Sequence, residues 1–532
     1  MNIWDFLLNY YVYTTVLGSL IFYIYRYITK NHTFWEERNV PFIKPVPFFG
    51  SLWYNLKKNL EDLDLERYQK IGRIYGYYEL TKPCMIVAEP EAIRDIFVKD
   101  FQIFPNRRLF DMGDDVLNKM MTALQGEDWK RVRAIVSPTF STGKLKRVLS
   151  IFQDCAKTLI QSFSKSAELN APIDVLKFYG AFTMDIIASS AFSTKIDANN
   201  DPDNVFIQRA KPIFNQDFGI HMLLFFMFPK LMKKLGSSVF PRDSMQFFKK
   251  ITLEIVKQRK QTGQKRNDFL QLLMDSADEV SKEEDVEKTS DDITHNYGDE
   301  SENRSFFKNI STKTLSMDEL VAQCGLFFIA GYHTTAVSLA FTTYHLALDQ
   351  NTQDKVFSEI EEVLSATDGE ISYESIQKMK YLDNVISESL RLHPPFIRLD
   401  RTAEADFTLT DTGIIIPKGT LVSVPIYAIH RDPKLFPDPE SFNPDRFSSE
   451  ERDKIVPYSY LPFGAGPRNC VGMRFALLEM KICLAYVISI FHVETCPETK
   501  VPLEYNQGQG FLRPKDITLH LKRRENCPLK QL

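Results

Sequence analysis

The 532-residue chain has little of what marks a disulfide scaffold or a metal-finger protein. Its seven cysteines stand at 84, 155, 324, 470, 483, 496 and 527, odd in number and without a Cys-x-x-Cys pair. That pattern argues against a disulfide framework and against a zinc site, and fits a reducing, cytosol-facing compartment. An excess of one charge is also missing: 65 basic and 69 acidic side chains leave a net charge of −4. No global field points to nucleic acid, so a charge-driven partner must use a local patch.

Formal charge is absent altogether from residues 6–25, a run rich in Leu, Ile, Val, Phe and Tyr and about as long as a bilayer-crossing helix. No basic segment precedes it and no small-residue cleavage site follows, which disfavours a cleaved signal peptide. Asp5 precedes the run while Arg26 and Lys30 follow it, and the positive-inside bias puts the bulk of the chain on the cytosolic side. With that topology the sequons at Asn31, Asn303 and Asn309 are chance matches.

What is present in quantity is apolar mass, 44% of the residues, enough to bury a large core. The expected organisation is an anchor over 1–30, a proline-rich hinge over 31–50 and one large domain over 51–532. Pro41, Pro45 and Pro47 favour a stiff, extended connector. Residues 76–87 and 414–424 are strand-like, and long amphipathic helical segments dominate the rest; the expected fold class is mainly α with a minor β-sheet region. Residues 277–312 turn acidic and read as a surface loop. The run Leu223 to Pro229, followed by Lys230, Lys233 and Lys234, suits core packing or a segment lying in a membrane interface.

The most informative stretch is Phe463-x-x-Gly466-x-Arg468-x-Cys470-x-Gly472. A cysteine between glycines, with helical spacing over 473–487 behind it, suits a thiolate stabilised at a helix start. Gly466 and Gly472 are expected to provide close backbone approach and positive φ. The pattern resembles the signature of the cytochrome P-450 superfamily, whose cysteine-ligated haem favours O–O cleavage. The resemblance runs from the proline hinge to residues 511–519. Ser137-Pro-Thr-Phe, Arg266-Asn-Asp-Phe-Leu and Ala330-Gly-Tyr are most similar to the animal microsomal clan of families 3, 6 and 9 and thromboxane synthase.

The resemblance implies haem b with Cys470 as axial iron ligand and Phe463 against the loop. It implies propionate donors at Trp129, Arg133 and Arg468, and by context at Arg107 and Arg401. Thr334 matches the family's distal hydroxyl, at a point where the helix opens to hold O₂ and a water. His333 stands where the family usually has Asp or Glu; a neutral imidazole can relay protons, and a packed core histidine is an equally good reading. Glu388 and Arg391, at i and i+3, together with Arg446 resemble the family's buried structural triad.

The implied activity is NADPH-driven monooxygenation of a lipophilic small molecule at the endoplasmic reticulum membrane. NADPH-cytochrome P-450 reductase is the expected electron donor and cytochrome b5 a second candidate. Lys130, Arg131, Lys144, Lys146 and Arg147 form a basic cluster that could steer an acidic flavoprotein. Two readings stay open beside it: a peroxide-rearranging haem-thiolate isomerase that needs no reductase, and a haem protein acting as ligand sink or sensor. Candidate substrate-facing segments are 101–124, 205–245, the helix before Ala330, 396–399 and 510–511.

Overall fold

The computed structural model describes residues 3–530 apart from 56, 110, 193, 202, 215–223, 226, 267, 279–306, 308–313, 411 and 507–509. The expected acidic loop at 277–312 lies almost wholly outside the described residues, as do Asn303, Asn309 and part of the 223–229 run. The fold is mainly α with minor β, gathered into two compact units, Met1–Arg108 with Arg398–Ala428 and Leu109–Ile397 with Ile429–Leu532.

The first unit begins with the helix Ile3–Thr29, whose Val12, Leu17, Leu20, Ile21 and Phe22 are each more than half exposed. At 1.5 Å per residue its 27 residues reach about 40 Å, longer than a hydrocarbon core. The unit's sheet runs in the order Ile74–Glu79, Lys82–Val87, Leu421–Val424 and Leu399–Thr402. The 76–87 stretch is therefore not one strand but a hairpin, turned at Leu80 with φ +56°. Tyr75, Tyr77, Cys84 and Ile86 form one buried cluster, with Ile43, Ile71 and Leu421 against it. The hinge is pinned to this sheet: Ile43 N–H donates to Gly76 O at 3.0 Å and Gly76 N–H to Pro41 O at 2.7 Å. A Cβ on Gly76 would stand 2.4 Å from the buried Trp35 indole, so this strand position has room only for glycine.

The second unit is built around the 32-residue helix Met317–Leu348, started by a reciprocal Ser316–Glu319 capping box. It is apolar enough to cross a membrane by length and composition, but it is a largely buried core helix. It packs against the helices Val175–Phe192, Lys380–Leu392 and Met473–Ile490. A small sheet in the order Ile173–Asp174, Thr518–Arg523, Phe491–Glu494 closes one side.

Candidate functional site

The Cys470 loop is held by its own main chain. Cys470 N–H donates to Phe463 O at 2.9 Å, Asn469 N–H to Gly466 O at 3.0 Å and Gly464 N–H to Leu461 O at 3.0 Å. Gly464 and Gly466 adopt φ of +73° and +71°, a conformation that costs L side chains strain. Gly472 does not share it: at φ −88° it is the N-cap of the Met473–Ile490 helix. The second left-handed glycine is thus Gly464, inside the loop, not Gly472 at its end. The helix runs on to Ile490, past the expected 487. Its N-terminal dipole lies two residues from Cys470, favourable for a thiolate. Cys470 is exposed, whereas Cys84, Cys155, Cys324 and Cys483 are buried, and burial pushes those four thiols up.

Helix Gly126–Val136 presents Trp129 and Arg133 one turn apart. Arg133 donates from Nη1 to Asn469 O at 2.9 Å and from Nη2 to Asn469 Oδ1 at 2.7 Å. The Arg468 guanidinium stacks on the Trp129 ring at 4.2 Å and donates to Leu124 O at 2.9 Å. All three side chains are buried. Two buried guanidinium groups and an indole N–H beside an exposed cysteine form a donor set that fits a planar, anionic, metal-bearing group.

The other two expected donors belong to the first unit. Arg401 is buried over the Phe97 ring at 4.2 Å and donates to Asp400 O at 2.8 Å; Arg107 is half-buried. Its neighbour Arg108 instead binds Glu79, at 2.6 and 2.9 Å, and Asp400 at 3.1 Å. Nothing in the Arg107-Arg108 doublet announces that division, and Asn469 carries no sequence signal either.

Glu388 and Arg391 are fully buried and pair through two contacts, Nε to Oε2 at 2.7 Å and Nη2 to Oε1 at 2.8 Å. Arg446 Nε reaches Glu388 Oε1 at 3.3 Å, and Asn443 N–H donates to the same oxygen at 2.9 Å. Arg391 also donates to His430 O at 2.7 Å.

Through 330–335 the long helix is unbroken. Thr334 Oγ1 donates back to Ala330 O at 2.6 Å and Ser338 Oγ to Thr334 O at 2.9 Å, while Thr183 Oγ1 reaches across to Tyr332 O at 3.0 Å. A Cβ on Gly331 would meet Ile187 Cδ1 at 3.0 Å, so this glycine permits close helix packing. His333 is pushed down to about 4, first by burial and then by the Arg513 cation, and its imidazole is neutral at pH 7.

Cations of the cluster form ion pairs. Arg131 pairs with Glu319 and donates to Thr314 O at 2.8 Å, and Lys146 pairs with Glu374 at 2.7 Å.

The family model described as Cytochrome P450 matches residues 40–521. The chain is 37% identical to Cytochrome P450 3A18 of Rattus norvegicus, over 95% of this chain and 96% of the relative. It is 36% identical to Cytochrome P450 3A25 of Mus musculus, over 96% of each. The same identity holds with Cytochrome P450 3A27 of Oncorhynchus mykiss, over 97% of this chain and 95% of the relative.

Proposed function

The chain belongs to the cytochrome P450 family and is a haem-dependent monooxygenase; from that premise we propose that Cys470 is the thiolate ligand and that Trp129, Arg133 and Arg468 hold the propionates. Phe463 lies against the same group. When bound, haem b supplies the activation of O₂ and the transfer of one oxygen atom to a lipophilic substrate. The protein's part is to hold, orient and dehydrate. Thr334 and His333 serve the oxygen side, Thr334 by its hydroxyl and His333 as a neutral proton relay. Glu388, Arg391 and Arg446 support the fold behind the ligand loop. Phe396 and Phe511 face substrate.

The observation that carries this reading is the gathering of buried Trp129, Arg133 and Arg468 beside exposed Cys470. A reduced carbon monoxide difference spectrum tests it: the wild type should give the red-shifted Soret band of a thiolate ligand, and Cys470→His should lose it. The same band in Cys470→His would overturn the assignment.

Electrons reach the site from NADPH through a flavoprotein reductase, with cytochrome b5 as a second donor. Lys130, Arg131, Lys144, Lys146 and Arg147 support that docking, and reductase-driven turnover should fall with salt while peroxide-driven turnover holds. The exposed apolar side chains from Tyr10 to Tyr25 on the Ile3–Thr29 helix support a single anchor in the endoplasmic reticulum membrane with the remainder cytosolic, which protease protection of microsomes checks. Leu224, Phe228, Leu231 and Leu235 are exposed among Lys230, Lys233 and Lys234, a composition that supports an interfacial segment.

One observation favours a second reading. A neutral His333 in place of an acid suits a peroxide-rearranging isomerase, and substrate-dependent NADPH consumption with reductase present would remove that alternative.

A further inference from the structure

The second unit contains a chain of three titratable side chains, His393 buried and His345 and Tyr505 half-buried, that oxygen chemistry leaves unused. His345, near the end of the long helix, and His393, which caps the Lys380–Leu392 helix, meet Nε2 to Nε2 at 2.9 Å. The Tyr505 hydroxyl lies 3.1 Å from His393 Nδ1. Both rings are clamped by stacking, His345 on Phe442 at 4.3 Å and 2°, His393 on Phe341 at 4.3 Å and 16°. Burial, then the Arg391 and Arg431 cations, push His345 down to about 3. Burial, His345 and the same two arginines hold His393 well below the usual imidazole range.

Two neutral imidazoles have one N–H and one bare nitrogen each, so their tautomers are linked. A phenol is a better donor to imidazole nitrogen than an imidazole N–H is to a phenol oxygen. Tyr505 O–H therefore donates to His393 Nδ1, His393 donates from Nε2 to His345 Nε2, and His345 carries its proton on Nδ1.

The chain ends beneath two substrate-side segments. Pro394 and Pro395 connect His393 to Phe396; Tyr505 bridges Pro514, and Phe511 bridges Phe396, both in the antiparallel sense. Leu512 N–H donates to Pro395 O at 3.1 Å and Ile397 N–H to Gly510 O at 3.1 Å. At the outer end the Phe396 and Phe511 rings lie 4.5 Å apart, with Phe396 41% exposed. The half-buried His393–Tyr505 contact is the foot of the support whose exposed end is this aromatic pair.

We propose that His345, His393 and Tyr505 form one directional hydrogen-bond chain that sets the register of Phe396 against Phe511 and so the affinity for lipophilic substrates. The three are positioning residues, and the inference rests on the reading that Phe396 and Phe511 face substrate.

Tyr505→Phe in the full-length haem-loaded protein removes only the donor. Loss of one neutral hydrogen bond should weaken binding of bulky lipophilic ligands about fivefold in Soret-shift titrations and raise KM by as much, with kcat unchanged. Selective ¹⁵N-histidine labelling should show the His393 Nδ1 resonance losing its hydrogen-bonded shift. His345→Gln, whose side-chain oxygen can still accept from His393 Nε2, should keep affinity, whereas His345→Phe should match Tyr505→Phe. Unchanged affinity and unchanged histidine resonances in Tyr505→Phe, or equal affinities in the two His345 variants, would overturn the proposal. A carbon monoxide band and NADPH-driven turnover measured on the same variants keep a failure here distinct from a failure of the haem-thiolate reading.

Discussion

Glu388 and Glu479 are both buried glutamates on core helices of the second unit, 0% and 1% exposed, yet they live in opposite surroundings. Glu388, on Lys380–Leu392, receives two N–H groups from Arg391, one from Arg446 and the backbone N–H of Asn443. Glu479, on Met473–Ile490, has an Oε1 that accepts no hydrogen bond among the described residues, and burial alone pushes its carboxyl well above the usual range. Depth is the same in the two cases. What differs is the supply of donors: two guanidinium groups and a backbone N–H surround one carboxylate with four hydrogen bonds, while burial pushes the other up.

The largest expected effect comes from breaking the first of these environments. Glu388→Gln removes the negative charge and strands Arg391, itself fully buried, so unfolding stability should fall by roughly 3 to 5 kcal/mol. Urea titration measures it, and haem should be lost over the same transition. A cost within about 1 kcal/mol of wild type, the size of one neutral hydrogen bond, would mean that the ion pair is not the reason the site tolerates charge.

The two glutamates also differ in how legible they were. Glu388 stands three residues before Arg391 on one helix face, and Phe463, Gly466, Arg468 and Cys470 lie within one short loop, so local spacing brings those partners together whatever the rest of the chain does. Glu479 has no local partner to announce it, and its state follows from which helices cover it. The same limit hid the His345–His393 contact, 48 residues apart, and the division between Arg107 and Arg108. It also hid the course of the helix at Gly331, where the resemblance implied an opening and close packing against Ile187 accompanies an unbroken helix. The helical periodicity behind Cys470 was plain, but which glycine needs positive φ depended on the exact turn, and Gly464 rather than Gly472 takes it.

A smaller effect sharpens the comparison through pH. The folded state holds the Glu479 proton while the unfolded chain releases it above about 4.5. The folded state therefore binds more protons, and the Glu479 contribution falls as pH rises, by up to about 1.4 kcal/mol per pH unit. Glu479→Gln is close in shape to the protonated acid and cannot ionise. It should match wild type near pH 4 and exceed it as pH rises above that, measured as the difference in urea midpoint. A gap that does not grow with pH would show that Glu479 ionises in the fold and that burial without donors is not decisive.

His333 extends the same logic to the oxygen side and carries the smallest expected effect. Like Glu479 it is held in its neutral form, here by burial and the Arg513 cation, with a value of about 4. An imidazolium cannot then be the proton source at pH 7, and the ring can only pass a proton from one nitrogen to the other. Removing a relay that water can partly replace should cost less than the 10²- to 10⁴-fold of a true general acid, about tenfold at most. His333→Ala should lower product formed per NADPH and raise peroxide release, with folding stability nearly unchanged. Because the group titrates near 4, the wild-type pH profile from 6 to 8 should carry no inflection from it, and His333→Ala should keep that shape. Unchanged product and unchanged peroxide in the variant would make His333 a packed core histidine, and an inflection between pH 6 and 8 that vanishes with it would mean that burial alone does not keep this ring neutral.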